Sequence, residues 1–137
     1  MCPEDLPVVG LFADNEIPFY LDLLHSDNDQ PSLLDMSRIS IDLLNKTYNE
    51  EGFFMMIEGS SIDLCGHLND IACILGEMQQ FVDTVDYVLN WANKDNDTLV
   101  VILADHQTGG LTIGREEFSC QNILILDFVT NLLQICI

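Results

Sequence analysis

The sequence predicts an α/β fold: a partial, mostly parallel sheet with helices on its faces. Two short apolar runs, residues 53–58 and 98–103, are continuous rather than alternating, which is typical of strands covered on both faces. Between them lies a long stretch, residues 70–94, whose apolar residues recur at helical spacing. Strand, helix and strand in this order form a βαβ unit, so the two strands are predicted to be parallel.

Composition restricts the size of the fold and the classes of partner. The chain has 137 residues, enough for one domain with a substantial core, and 48% of them are hydrophobic. It carries 23 Asp and Glu against 4 Lys and Arg, a formal net charge of −19. Because such a surface repels polyanions, we predict neither nucleic acid nor a membrane as a partner. The final apolar run, 123–137, is shorter than the roughly 20 residues of a membrane-spanning helix.

The cysteines and the first residues indicate little about processing. Five cysteines are an odd number with no CxxC pair, which predicts neither a dedicated disulfide framework nor a thiolate zinc site. They are Cys2, Cys65, Cys73, Cys120 and Cys136. Cys65 is interpreted as a small buried side chain. The first five residues contain neither a basic nor an apolar signal region, so no signal peptide is predicted.

The first quarter of the chain is predicted to begin with a strand. Residues 8–13 form a short apolar run, which indicates a buried strand, and residues 14–18 are then predicted to form a loop. Residues 19–31 contain several Asp residues, an Asn and a Pro, and they are interpreted as a turn-rich connection.

Capping residues mark both predicted helices. Ser32, with Asp35 three residues later, resembles a weak capping box at the start of a helix over residues 33–46. Asn96 follows the long helix, and we expect it to adopt the left-handed conformation that often ends a helix.

Carboxylate and imidazole side chains follow both predicted strands. Glu58 ends the first run and is followed by Asp63 and His67, whereas Asp105 and His106 follow the second run. Because the carboxyl ends of parallel strands meet at one edge of a sheet, we expect these side chains to lie near each other. If a helical turn begins after residue 62, Asp63 and His67, which are four residues apart, lie on one face of that helix. Oxygen and nitrogen ligands of this kind suit Zn²⁺ or Mg²⁺, although ordinary solvated loop residues remain the alternative.

Two motifs contain these candidate ligands: Glu-Gly-Ser-Ser-Ile-Asp-Leu-Cys-Gly-His-Leu-Asn-Asp at 58–70 and Ala-Asp-His-Gln-Thr-Gly-Gly-Leu at 104–111. In this order, the two motifs resemble the alkaline phosphatase family. The resemblance covers about residues 8–115. It predicts a partial α/β domain over residues 1–115 and leaves 116–137 as an unmatched apolar C-terminal segment. It implies an alkaline-phosphatase-like fold and hydrolysis of small phosphomonoesters at a site with two Zn²⁺ ions and one Mg²⁺ ion.

The resemblance also implies a role for each candidate ligand. Glu58 would be a ligand of the magnesium ion. Asp63 and His67 would hold the first zinc, which activates water and stabilises the leaving oxygen. Asp105 and His106 would hold the second zinc, which in the family activates a nucleophilic serine. A periplasmic or secreted location is implied as well, and a homodimer is compatible with the resemblance.

The chain also departs from the family pattern. It contains no Asp-Ser pair, so no catalytic nucleophile is assigned, and no histidine follows His106. The family's upstream aspartate and phosphate-binding arginine are also missing; Arg115 is the only arginine near the motifs, and His25 is not predicted to be a ligand. We therefore predict a C-terminal, metal-ligand fragment of the family with little or no activity alone. The alternatives are a non-catalytic metal-binding module, or another phosphatase, mutase or sulfatase of the same superfamily.

Overall fold

The computed structural model describes residues 7–27, 29–48, 50–111 and 129–136, the last of these as backbone only. Cys2, Arg115, Cys120 and most of the 116–137 segment lie outside the described residues. The described helices are α1 (Tyr20–His25), α2 (Leu33–Tyr48), α3 (Ser61–Leu68) and α4 (Ile71–Asp95). The described strands are β1 (Met56–Gly59), β2 (Val101–Gly109) and β3 (Val129–Cys136).

The sheet has three strands in the spatial order β1–β3–β2. Strand β3 is antiparallel to both neighbours, so β1 and β2 run in the same direction, as predicted. However, no parallel ladder is found among the described residues, because β3 occupies the position between them. The sequence pattern indicated no such strand, since the apolar C-terminal run was interpreted as unrelated to the fold.

The register of the sheet places the starts of the two predicted ligand segments opposite the same residue of β3. Gly59 at the end of β1 and Ala104 within β2 are both paired with Leu133 of β3. The two positions are therefore separated by two strand spacings, about 10 Å. The segments that follow Gly59 and Ala104 consequently start close together, as the βαβ prediction required.

Helix α4 forms the base of the hydrophobic core. Ile41 of α2, Ile57 of β1 and Ile62 of α3 pack around Phe81 and Val88 of α4, and all five side chains are buried. Each flanking element therefore places an apolar side chain against the central helix. None of the described helices is long and apolar enough to cross a membrane.

The predicted caps are confirmed in atomic detail. Ser32 Oγ accepts a hydrogen bond from Asp35 N at 3.1 Å, and Asp35 Oδ2 accepts one from Ser32 N at 3.2 Å, which is a reciprocal capping box. Asp70, which was not predicted as a cap, also caps α4, because its carboxylate accepts from Ala72 N and Cys73 N. Asn96 ends α4 with φ of 63°, in the left-handed region.

Three sequence predictions differ from the structure. Residues 8–13 are not a strand and most are exposed, because no described strand pairs with them. Part of the predicted turn-rich connection forms α1, which packs on α4. Neither β1 nor β2 is covered on both faces as predicted, because β1 alternates between exposed and buried residues and β2 is exposed along most of its length.

Two polar side chains of α4 hold the starts of α1 and α2. Tyr20 N donates to Glu77 Oε1 at 2.6 Å, and Leu33 N donates to Gln80 Oε1 at 2.7 Å. Gln80 Nε2 in turn donates to Glu77 Oε2 at 3.1 Å. These bonds satisfy amides at helix starts that have no partner within their own helix. Burial raises the pKa of the Glu77 carboxyl above its usual value, although the bonds from Tyr20 and Gln80 act in the opposite direction.

Replacing Glu77 by glutamine is expected to reduce the loss of stability that accompanies rising pH. Since the pKa of Glu77 is higher in the folded than in the unfolded chain, its contribution is fully present below the unfolded value. That contribution is lost as pH rises through the folded value. The free energy of unfolding is measured in urea at pH 4 and pH 7 for the parent and for Glu77→Gln. Its fall between the two pH values should be smaller in the variant. The exposed Glu51→Gln is the control, and parallel pH curves for parent and Glu77→Gln would contradict the assignment.

A disulfide between Cys65 and Cys73 joins α3 to α4, with a Cα–Cα distance of 5.5 Å. The interpretation of Cys65 as merely a small buried side chain is therefore corrected, because Cys65 is buried and also disulfide-bonded. An odd count and the absence of CxxC cannot show that two more distant cysteines meet. They meet because Asn69, with φ of 53°, ends α3 and turns the chain back into α4. The bond anchors the helix that carries Asp63 and His67.

The Cys73→Ser variant is expected to be less stable than the parent by about 2–3 kcal/mol, because it loses the constraint on the unfolded chain. Urea unfolding with and without a reductant provides the measurement. A reductant should lower the midpoint of the parent and leave that of the variant unchanged. Equal midpoints for oxidised parent and variant would show that the bond does not stabilise the fold.

Candidate metal centre

Helix α3 brings Asp63 and His67 together. The helix begins at Ser61, directly after β1, and places the two residues one turn apart on the same face. His67 Nε2 lies 3.4 Å from Asp63 Oδ2. The Asp63 side chain is largely covered, whereas 68% of the His67 side chain is exposed. The condition on which the sequence analysis placed these two residues on one face is met, and they form the first carboxylate–imidazole pair.

An irregularity in β2 brings Asp105 and His106 together. The register with β3 shifts between Ala104 and Gln107, so that β2 contains one residue more than its partner there. Adjacent residues of a regular strand point to opposite faces, but a bulge breaks this alternation. As a result, His106 Nε2 lies 3.4 Å from Asp105 Oδ2, and His106 N donates to Asp105 Oδ1 at 2.9 Å. This is the second carboxylate–imidazole pair.

Thr108 connects the two pairs. Its hydroxyl donates a short hydrogen bond to Asp63 Oδ1, across 45 positions of sequence. The same oxygen lies 3.2 Å from His106 Nδ1. Thr108 is the one buried residue of β2, with 6% of its surface exposed. Sequence reasoning missed it, and the only available signal was a hydroxyl two residues after a candidate ligand.

Glu58 lies apart from the two pairs. It is exposed on β1 and lines a cleft of about 270 Å³ together with Glu16, Ser60 and Gln80, and the cleft lining includes none of the other four candidates. Within the described part of the chain, no three His, Cys, Asp or Glu side chains converge into a single metal cage. The structure thus juxtaposes four of the five predicted ligands as two pairs.

Two other potential ligands are engaged elsewhere. His25 lies at the end of α1, where its Nδ1 is 2.7 Å from the carbonyl oxygen of Leu21 in the same helix. The sulfur of Cys65 is buried and bonded to Cys73, so it is not a thiolate ligand in this structure.

The comparison with known proteins identifies one family. The family model described as alkaline phosphatase matches residues 2–132. The repressible alkaline phosphatase of Saccharomyces cerevisiae is 43% identical over 116 residues, covering 81% of this chain and 20% of that protein. Alkaline phosphatase 3 of Bacillus subtilis is 45% identical over 113 residues, covering 82% of this chain and 23% of that protein.

A solved structure agrees with these sequence matches. A cold-active alkaline phosphatase from a psychrophilic Shewanella species superposes with a TM-score of 0.67 at 43% identity. The match covers 80% of this chain and 26% of that chain, and it supports the α/β fold.

The extent of these matches has two consequences. The chain spans about a fifth to a quarter of the length of the curated relatives it matches. The motif resemblance ended at about residue 115, whereas the family match continues to residue 132. The predicted domain boundary at residue 115 therefore stays a prediction. Since the family match covers nearly the whole sequence, this chain belongs to the alkaline phosphatase family.

Proposed function

We propose that this chain provides two zinc-binding pairs of a site that hydrolyses small phosphomonoesters. Asp63 and His67 hold one zinc ion, Asp105 and His106 hold the second, and Glu58 is a ligand of a magnesium ion. The observation that carries the proposal is the geometry of the two pairs, each of which has a carboxylate oxygen and an imidazole nitrogen 3.4 Å apart.

This separation fits zinc better than it fits a hydrogen bond. Zinc bonds of 2.0–2.1 Å directed to the corners of a tetrahedron place neighbouring ligand atoms about 3.3–3.4 Å apart. An ordinary N–H···O bond is shorter, at about 2.7–3.2 Å. Each pair therefore matches two corners of a tetrahedral zinc site with its side chains in their present positions. The donor set is also suitable, since zinc binds both carboxylate oxygen and imidazole nitrogen.

The surroundings of the pairs suit a phosphate ester. The imidazoles are open to solvent, with 68% of the His67 and 55% of the His106 side chain exposed. A substrate can therefore approach from the solvent side, while Asp63 is held from the protein side by Thr108. Bound zinc ions would polarise the phosphate oxygens and stabilise the attacking and leaving oxygens. The carboxylates of Asp63 and Asp105 supply the negative charge that retains the cations.

The predicted sheet belongs to this proposal as well. We propose that β1 and β2 belong to a mostly parallel α/β sheet of the family type. Their common direction and the intervening α4 support this arrangement.

Turnover of p-nitrophenyl phosphate with added zinc and magnesium tests the activity. The isolated chain is expected to show little or no turnover, because it contains no Asp-Ser segment to supply the family's nucleophile. Any turnover present should disappear in the double variant Asp105→Ala and His106→Ala. Robust turnover that survives this double substitution would contradict the proposed site.

A non-catalytic metal-binding module is the second candidate. It is favoured by the pairwise arrangement, because two protein ligands for each zinc leave positions that water fills. The two candidates differ in one measurable respect. A module takes up zinc without turnover even when the remaining length of the family's chain is present, whereas a hydrolytic site gains turnover under that condition.

A further inference from the structure

We propose that Thr108 is a positioning residue that orients one ligand of each zinc-binding pair. The inference rests on the proposed metal site, to which it adds a residue outside the ligand set. Thr108 acts through Asp63 and His106 and does not itself contact the metal.

The contacts of Thr108 are made with the outer atoms of the two ligands. Its hydroxyl bonds Asp63 Oδ1 and lies 3.2 Å from His106 Nδ1. The atoms that form the pairs are the other ones, Asp63 Oδ2 and His106 Nε2. Thr108 therefore contacts each ligand through the atom that is not part of the pair. The atom that is proposed to bind zinc stays available. A metal-binding imidazole or carboxylate commonly depends on such an outer hydrogen bond for its orientation.

The same contacts favour the tautomer of the neutral His106 ring that carries its hydrogen on Nδ1. A hydroxyl has a single hydrogen, and that of Thr108 is donated to Asp63, so the oxygen presents a lone pair to His106 Nδ1. The carbonyl oxygen of Gln107, 3.3 Å from the same nitrogen, can also only accept. Both neighbours therefore require a hydrogen on Nδ1 of the neutral ring. Nε2 is then left with the lone pair that a zinc ligand needs.

Burial shields the hydroxyl of Thr108 from solvent. Thr108 is 6% exposed, so water cannot readily replace its hydroxyl. Valine has nearly the same shape as threonine but neither donates nor accepts, so Thr108→Val leaves Asp63 Oδ1 and His106 Nδ1 without this partner. Thr108→Ser keeps the hydroxyl and removes only a methyl group. The two variants thus separate hydrogen bonding from packing.

The first measurement is zinc affinity by competition with a chelator. Thr108→Val is expected to weaken zinc binding by about 10–100-fold, the range typical for loss of an outer hydrogen bond to a ligand. Thr108→Ser should stay within about threefold of the parent, because the hydroxyl is retained. Thr98→Val is the matched control, since it removes the 2.6 Å bond from another threonine hydroxyl to Asp95, outside the two pairs. Unchanged zinc affinity in Thr108→Val would overturn the proposal.

The second measurement needs no metal. Long-range ¹H–¹⁵N spectra of the histidine rings, recorded where the imidazoles are neutral, report which nitrogen carries the hydrogen. The parent and Thr108→Ser should show His106 with its hydrogen on Nδ1, and Thr108→Val should shift the ring towards the other tautomer. If the parent binds no zinc, the proposed function fails, but the tautomer result still decides the role of Thr108. An identical tautomer in parent and Thr108→Val, or its loss in Thr108→Ser, would overturn that role.

Discussion

Replacing Asp63 and His67 together by alanine is expected to reduce zinc binding from two ions per chain to one. The substitution removes both protein ligands of the α3 pair and leaves the pair on β2 unchanged. Isothermal titration calorimetry at micromolar chain concentration measures the stoichiometry directly. The remaining ion should bind with an affinity close to that of the parent's second site, apart from the coupling that Thr108 provides.

The matched control removes the same residue types from a different helix. Asp22 and His25 lie on α1, where the histidine ring bonds the Leu21 carbonyl, and their double replacement by alanine should leave two zinc ions per chain. If both double variants lose the same amount of zinc, binding reflects the acidic surface rather than a defined pair. If neither loses any, the ligands are other residues.

The Phe81→Ala variant is expected to lose about 3–5 kcal/mol of unfolding free energy, the usual result of removing a buried aromatic ring. Phe81 is 2% exposed and belongs to the same buried cluster as Ile41 of α2 and Ile62 of α3. A domain of this size is typically stable by only about 5–15 kcal/mol. The variant should therefore unfold at a much lower urea concentration than the parent, as measured by circular dichroism during urea unfolding.

Phe54 provides the comparison for that result, because it has the same side chain but is 74% exposed. Phe54→Ala should change the unfolding free energy by no more than about 0.5 kcal/mol. Equal losses for the two variants would show that α4 does not form the base of the core.

The parts of the fold that local chemistry determines could be predicted from the sequence. Helix α4 combines sustained helical periodicity with a side-chain cap at Asp70 and a left-handed residue at Asn96, so its ends agree closely with the prediction. The capping box of Ser32 and Asp35 similarly needs only residues three positions apart. Such signals depend on neighbours in sequence and are independent of the rest of the molecule.

The parts that depend on distant partners could not be predicted in the same way. The pairing of β3 between β1 and β2 is determined by which strands are available, and an apolar run does not specify its partner. The exposed residues 8–13 show the converse, since an apolar run without a partner forms no strand. The Cys65–Cys73 bond likewise depends on the turn at Asn69.

The candidate metal centre contains features of both kinds, some determined by local sequence and some by distant partners. The i, i+4 spacing of Asp63 and His67 indicated their pairing on the condition that a helix begins there, and the helix depends on local sequence. The pairing of Asp105 with His106 required a bulge, and adjacent residues of a strand gave no indication of one. Thr108 was missed because its partner Asp63 lies on another element, and the contact forms only when α3 and β2 are packed together.

X-ray absorption at the zinc edge of the zinc-loaded chain tests the central claim most directly. Three of the five cysteines lie outside the Cys65–Cys73 disulfide, so thiolate binding is a real competitor of the carboxylate–imidazole pairs. The two kinds of ligand are distinguished by bond length, since zinc–nitrogen and zinc–oxygen bonds are about 2.0–2.1 Å and zinc–sulfur bonds about 2.3 Å. The proposed pairs predict a shell of nitrogen and oxygen atoms only, with the outer scattering of imidazole rings. A sulfur shell at the longer distance would contradict the assignment of zinc to the Asp–His pairs.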